Sequence, residues 1–172
     1  PMTSGTAMAT IVGLLGKYGE EYFDALGQQD VMIESGSSAL AKLETGECAV
    51  VMILEESVLK KREEEASKLE WFIPDDGNVL VPSTVMTVAE DKSANKNIAA
   101  CEAITDWLLS EEGQGYIVDG WMHSVLKDFP REPYDGAATA DLIATDIVVD
   151  WEKCYKERDA IRTMYQEKVT VR

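Results

Sequence analysis

The apolar positions Met8, Ile11, Val12 and Leu15 recur at helical spacing behind Ser4, a good N-cap, so residues 6–18 predict an amphipathic helix. Tyr22, Phe23 and Leu26 predict a second short helix before Gly27. Val31–Ile33 is a brief apolar run of strand character. The turn Glu34-Ser35-Gly36-Ser37-Ser38 follows it and leads into a helix carrying Ala39, Leu40 and Leu43, which Gly46 ends. Cys48–Leu54 is a continuous apolar run, the pattern of a strand covered on both faces. Glu55–Ser67 is charged and helical in character. Leu69–Ile73 alternates like a strand and stops at the turn cluster Pro74-Asp75-Asp76-Gly77, and Ser83–Ala89 predicts another strand.

Beyond residue 89 the pattern becomes mainly helical. Asn97–Leu109 carries the stripe Ile98, Cys101, Ile104 and Leu108, widened by Ala100, Trp107 and Leu109. Residues 121–149 are less regular, with Pro130, Pro133 and Gly136. Asp150 caps a last helix that carries Trp151, Cys154, Tyr155, Arg158, Ile161 and Tyr165; Trp107 and Trp151 read as core. Helices alternating with strands predict an α/β fold with helices on both faces of a mixed sheet, followed by a helical C-terminal part.

The net charge of −16, from 16 basic and 32 acidic residues among 172, changes the range of partners. It argues against nucleic acid and against an anionic membrane surface, both of which it would repel. No run approaches the ~20 apolar residues of a membrane span. The chain starts at Pro1 without a signal peptide, which is expected of a cut precursor or of a start inside a longer gene. Cys48, Cys101 and Cys154 are odd in number and widely spaced, so they form no disulfide framework and read as buried free thiols.

Two serine-rich turns hold the candidate chemistry. Ser4-Gly5-Thr6 and Ser35-Gly36-Ser37 stand at helix mouths, where unpaired N–H groups and the helix dipole favour an anion. Both are also ordinary N-caps. Glu55 and Glu56 follow the run at 48–54 and suit a cationic or metallic group, or simply the dipole at a helix start. Glu63-Glu64-Glu65 reads as a solvated helix face. His123 beside Trp121 is a ligand contact or a structural histidine. No phosphate loop, Ser–His–Asp set or metal-ligand spacing is present, so no enzyme and no cofactor are expected.

Four stretches carry a resemblance when taken in order: TSGTAMATIVGLLGKYGEEYFDAL, GSSALAKLETGECAVVM, PDDGNVLVPSTVMTVAEDKSANKNIAACEAITDWLLSEEGQ and DWEKCYKERDAI. Over most of residues 3–162 the chain resembles the C-terminal half of the family 1 extracellular solute-binding proteins of ABC importers, in the ferric-iron and 2-aminoethylphosphonate branch. The resemblance implies one lobe of a type II periplasmic-binding fold, with ligand held in an interlobe cleft. It implies a missing first lobe, an ABC permease as partner, and a periplasmic or extracellular location, with a lipid anchor on the missing N-terminus as one form.

By the same resemblance, residues 1–92 form the second-lobe α/β core. Residues 93–140 pack on the missing lobe, and 141–172 return as a C-terminal helix. Without that lobe, the apolar stripe at 98–108 is expected to repack onto the rest of the chain or onto a second copy, giving a homodimer. The two serine turns take the place of the family's anion site. The family's paired tyrosines fall at Glu56-Ser57 and are absent, which leaves Glu55 or Glu56 to hold a hard cation or an amine. A ligand-sensing domain of a regulator and an α/β enzyme acting on a phosphorylated substrate remain alternative readings.

Overall fold

A computed structural model of the chain describes residues 4–94, 97–131 and 136–170. Its regular elements are helices. In chain order they are α1 (Gly5–Tyr18), α2 (Glu20–Gly27), α3 (Gly36–Thr45), α4 (Glu55–Glu65), α5 (Ile98–Leu108), α6 (Glu111–Asp119), α7 (Thr139–Ala144), α8 (Trp151–Lys156) and α9 (Arg158–Tyr165). A 3-10 turn lies at Glu90–Lys92, and a π-helical turn, Gln166–Thr170, extends α9.

The helix ends follow local chemistry. Ser4 accepts from the Ala7 N–H at 3.2 Å and caps α1. Gly19, at φ 72°, closes the helix with its N–H on Leu15. Gly46 closes α3 in the left-handed conformation, and Asp150 caps α8. The predicted last helix is interrupted at Glu157, which divides it into α8 and α9.

The expected α/β fold, a type II periplasmic-binding lobe with helices on both faces of a mixed sheet, is corrected: among the described residues there is no sheet. Val31–Ile33, Cys48–Leu54, Leu69–Ile73 and Ser83–Ala89 are non-helical, but none is paired as a strand. The one β-type contact among the described residues is an isolated parallel bridge between Asn78 and Asp146. Apolar runs and period-two alternation report segments that favour a pleated surface. A sheet also needs a partner backbone in register, and no described segment supplies one. As a result Val50, Met52, Phe72, Val85, Met86 and Val88 stand exposed.

The chain divides into two compact units. The first contains residues 1–51, 72–81 and 140–172. Its core joins Met8, Ala9, Ile11 and Val12 of α1 to Phe23 of α2, Val149, Ile161 and Tyr165 of α9, and Val169. Phe23 is fully buried and meets Tyr165 edge-on at 5.9 Å. A Cβ on Gly27 would lie 1.9 Å from the Lys168 carbonyl oxygen, so only glycine allows α2 to approach the π-helical turn. Lys168 reaches back to Asp24 at 2.8 Å and to Glu20 at 3.4 Å. The Asn78 side chain donates to the Leu142 carbonyl at 3.0 Å, and Asp146 accepts from the Leu80 N–H at 2.8 Å.

The second unit contains residues 52–71 and 82–139. Val58 and Leu59 of α4 and Val118 of α6 are buried in it, together with Ala137. Gln114, buried on α6, donates to the Leu108 carbonyl at 2.6 Å and accepts from Ser124 and the Val125 N–H, both at 2.8 Å. These bonds satisfy both ends of its amide. Helix α5 has no buried residue, and Ile104, Trp107 and Leu109 are exposed. The expectation that Trp107 and Trp151 are core fails: Trp107 meets the ring of Tyr116, itself exposed, at 5.6 Å, and the two tryptophans remain 40% and 49% exposed.

Candidate functional site

The first serine turn opens onto a cavity of about 390 Å³ within the first unit. Ser4 and Gly5 form one wall; Trp151 and Tyr155 of α8 and Arg158 and Arg162 of α9 form the other. The two arginines are four residues apart and therefore share a helix face. Both lie near the exposed Asp159 carboxylate, at 3.6 Å and 3.4 Å. The Arg162 Nε is buried and without a hydrogen-bond partner. A Cβ on Gly5 would meet nothing within 4 Å, so packing does not require glycine there and the backbone at the helix mouth is open. The wall thus combines the amides of a 14-residue helix, a hydroxyl and two guanidinium groups, all of which favour an anion. Thr6, the third residue of the turn, accepts on its carbonyl from the Thr10 hydroxyl at 3.1 Å.

The second serine turn stands at the mouth of α3 and is already occupied by the chain's own groups. Ser35 caps α3 through the Ser38 N–H and lies 3.3 Å from the Ser37 hydroxyl. The Glu34 carboxylate takes the Ser38 hydroxyl at 3.0 Å and Lys42 at 2.7 Å. The Lys42 and Ser38 hydrogen bonds hold that carboxyl below its usual range. Gly36 faces open space. Ser35, Gly36 and Ser37 do not line the cavity at Ser4, and no hydrogen bond among the described residues joins the two turns.

Glu55 and Glu56 belong to the second unit and have opposite fates. Glu55 Oε2 meets His123 Nε2 at 2.8 Å and Arg131 Nη2 at 3.3 Å, while Oε1 accepts the Ala137 N–H at 2.8 Å. Arg131, with its side chain 8% exposed, also donates to the carbonyls of Trp121, Met122 and Ala137. Gly136 makes this closure feasible, since a Cβ there would lie 2.4 Å from Arg131 Nη1. Burial pushes the Glu55 carboxyl up, but the His123 and Ala137 hydrogen bonds and the Arg131 charge outweigh it and hold the group below its usual range. Glu56 is raised, first by burial and then by the neighbouring Glu55 charge.

His123 extends the network, with Nδ1 2.8 Å from the Thr139 hydroxyl. Trp121, at φ 63°, holds a left-handed conformation that is rare for a bulky residue, and its carbonyl accepts from Arg131. Hydroxyl, imidazole and carboxylate therefore stand in line, and Arg131 and Ala137 fix the carboxylate end. This is a closed knot: each Glu55 oxygen already has a donor, so the geometry serves rigidity better than capture of an outside cation.

Sequence reasoning missed Arg131 and Thr139, which are remote from Glu55 in the chain and carry no motif. It also missed the role of Arg158 and Arg162, although their four-residue spacing on a helix was visible. Among the described residues no cluster of three or more His, Cys, Asp or Glu side chains could hold a metal; all three cysteines are free, but none is buried as expected, Cys101 being exposed and Cys48 and Cys154 half-buried. No helix among the described residues is long and apolar enough to cross a membrane. Comparison with protein-family models, with characterised proteins and with solved structures finds no match.

Proposed function

We propose that the chain is a ligand-capturing component of a transport system of the ABC-importer type, and that it binds a small anion. The observation that carries this reading is the cavity at Ser4, where the open mouth of α1 faces Arg158 and Arg162. The helix mouth supplies directed N–H donors and the arginines supply charge and forked donors, the combination that suits a phosphate or phosphonate oxygen cluster. Trp151 and Tyr155 add apolar wall for the organic part of such a ligand. The ordered resemblance to solute-binding proteins supports the transport setting, and the chemistry is binding without covalent change. Glu55 takes no ligand role in this reading, because its oxygens are committed within the chain.

Calorimetric titration with phosphate, with 2-aminoethylphosphonate, and with ferric iron in the presence and absence of phosphate tests the proposal. Binding of either phosphorus anion is expected, weakened about tenfold or more by Arg162→Ala, since a charged hydrogen bond contributes roughly 1.5–3 kcal/mol. Asp159→Asn should strengthen it by releasing the arginines from their carboxylate neighbour. Binding unaffected by Arg162→Ala, or no binding of any of these probes, would overturn the assignment.

A further inference from the structure

We infer that the cavity at Ser4 takes a flat aromatic ring carrying one phosphate group, as a nucleoside monophosphate or a phosphorylated pyridine does. The inference rests on the anion-binding reading of that cavity and adds the class of molecule bound. The lining divides into two chemically distinct halves. Ser4, Arg158 and Arg162 belong to one, and Met8, Trp151 and Tyr155 to the other.

The apolar half selects a ring. Trp151 and Tyr155 stand four residues apart on α8 and share a face. They are 49% and 86% exposed, and neither stacks on another ring among the described residues. The other aromatic side chains of this unit behave differently: Tyr18, Tyr22, Phe23 and Tyr165 each meet a ring. The free aromatic faces of the unit therefore gather at one cavity, beside two guanidinium groups. Such faces reward a flat π-system and give little to a sugar or a short alkyl chain. The buried Met8 adds soft apolar surface on the same side. At about 390 Å³ the cavity falls within the range of small-molecule pockets, roughly 300–1,000 Å³, and is larger than a bare phosphate fills.

The polar half sets the number of phosphates. Arg162 Nε is buried without a hydrogen-bond partner, and the Asp159 carboxylate beside both arginines is exposed to water. Two guanidinium groups and the mouth of α1 match the charge of one phosphate dianion. Further phosphates would bring negative charge beyond that reach, into a chain of net −16. One phosphate is thus favoured over a chain of three.

Calorimetric titration of the whole chain with inorganic phosphate, ribose 5-phosphate, adenosine monophosphate, pyridoxine 5′-phosphate and adenosine triphosphate tests the inference. At least one of the two single-phosphate ring compounds is expected to bind about tenfold or more tighter than ribose 5-phosphate. Which of them binds tighter tells a base on a sugar from a ring joined closely to its phosphate. Trp151→Ala and Tyr155→Ala should each shrink the ratio of ring-phosphate to inorganic-phosphate affinity by about fivefold or more, whereas Trp151→Phe should retain it. Both rings are exposed, so circular dichroism should show these variants folded. Ring compounds that bind no tighter than ribose 5-phosphate would overturn the inference and leave the anion site standing. Absence of binding by every probe would overturn both. A ring preference that survives both alanine substitutions would overturn the assignment to this wall, and tighter binding of the triphosphate would overturn the limit to one phosphate.

Discussion

Replacing Glu55 by Gln probes the second unit with little change of shape. The substitution removes the charge that faces Arg131, whose side chain is 8% exposed, and it weakens the bond to His123 Nε2 at 2.8 Å. The new amide also turns a donor towards groups that are themselves donors. Removing one partner of a fully buried ion pair costs about 3–5 kcal/mol. Here a fifth of the Glu55 side chain remains in water, and Gln keeps one acceptor, so a loss of about 2–3 kcal/mol is expected. In a chain of this size each kcal/mol moves the thermal midpoint by about 2–4 °C, so Tm should fall by ~4–12 °C at neutral pH.

The pH dependence adds a second readout. The folded-state carboxyl of Glu55 is held below its ordinary value of 4.5. Its contribution is therefore complete above that value and disappears as pH falls through the lower folded value. Wild type and Glu55→Gln should converge in acid. Glu56 provides the opposite sign: its carboxyl is raised by burial and by Glu55, so ionising it opposes folding as pH rises. Glu56→Gln should therefore raise the midpoint at neutral pH. Melting of the three proteins by circular dichroism, in neutral and acid buffer, decides the matter. A Glu55→Gln shift below about 1 °C at neutral pH would refute the knot as a stabilising device.

Two further expectations concern the first unit. Gly16→Ala, in an open part of α1 where a Cβ meets nothing within 4 Å, should stabilise by about 0.5–1 kcal/mol through helix propensity, whereas Gly27→Ala, which drives a Cβ onto the Lys168 carbonyl, should destabilise by about 1–3 kcal/mol; urea unfolding separates the two signs. The Tyr18 phenol is pushed up to about 12, chiefly by its hydrogen bond to the Asp76 carboxylate, while burial raises Tyr22 and Tyr165 as well, so in ultraviolet titration Asp76→Asn should shift part of the late tyrosine absorbance to lower pH.

Local chemistry was legible in the sequence and pairing was not. Ser4, Gly46 and Asp150 mark helix ends because a cap needs only its own few residues. The core side of α1 was equally plain, since Met8, Ile11 and Val12 keep their spacing and are buried. Cys48–Leu54 and Ser83–Ala89 misled because apolar, β-branched runs register a preference for cover without naming what provides it. The cavity at Ser4 was half legible. The serine turn could be read, but the arginines opposite it come from α9, and only folding brings them near. The Glu55 knot was hidden for the same reason: Glu55 announces a helix start, while its partners His123, Arg131 and Ala137 lie far along the chain.

The closure of Val169 and Lys168 onto α2 bears on how the protein is made. The first unit joins Met8 and Phe23 to Ile161, Tyr165 and Val169, so the face of α1 has its full cover only after nearly the whole described chain has left the ribosome. Until then Ile11, Val12 and Phe23 face water or whatever else will hide them. Contacts of such sequence separation carry a loop-closure cost before they return any stabilisation. Until those last helical turns emerge, the apolar face of α1 is exposed surface of the kind that misassembles or engages apolar-binding chaperones.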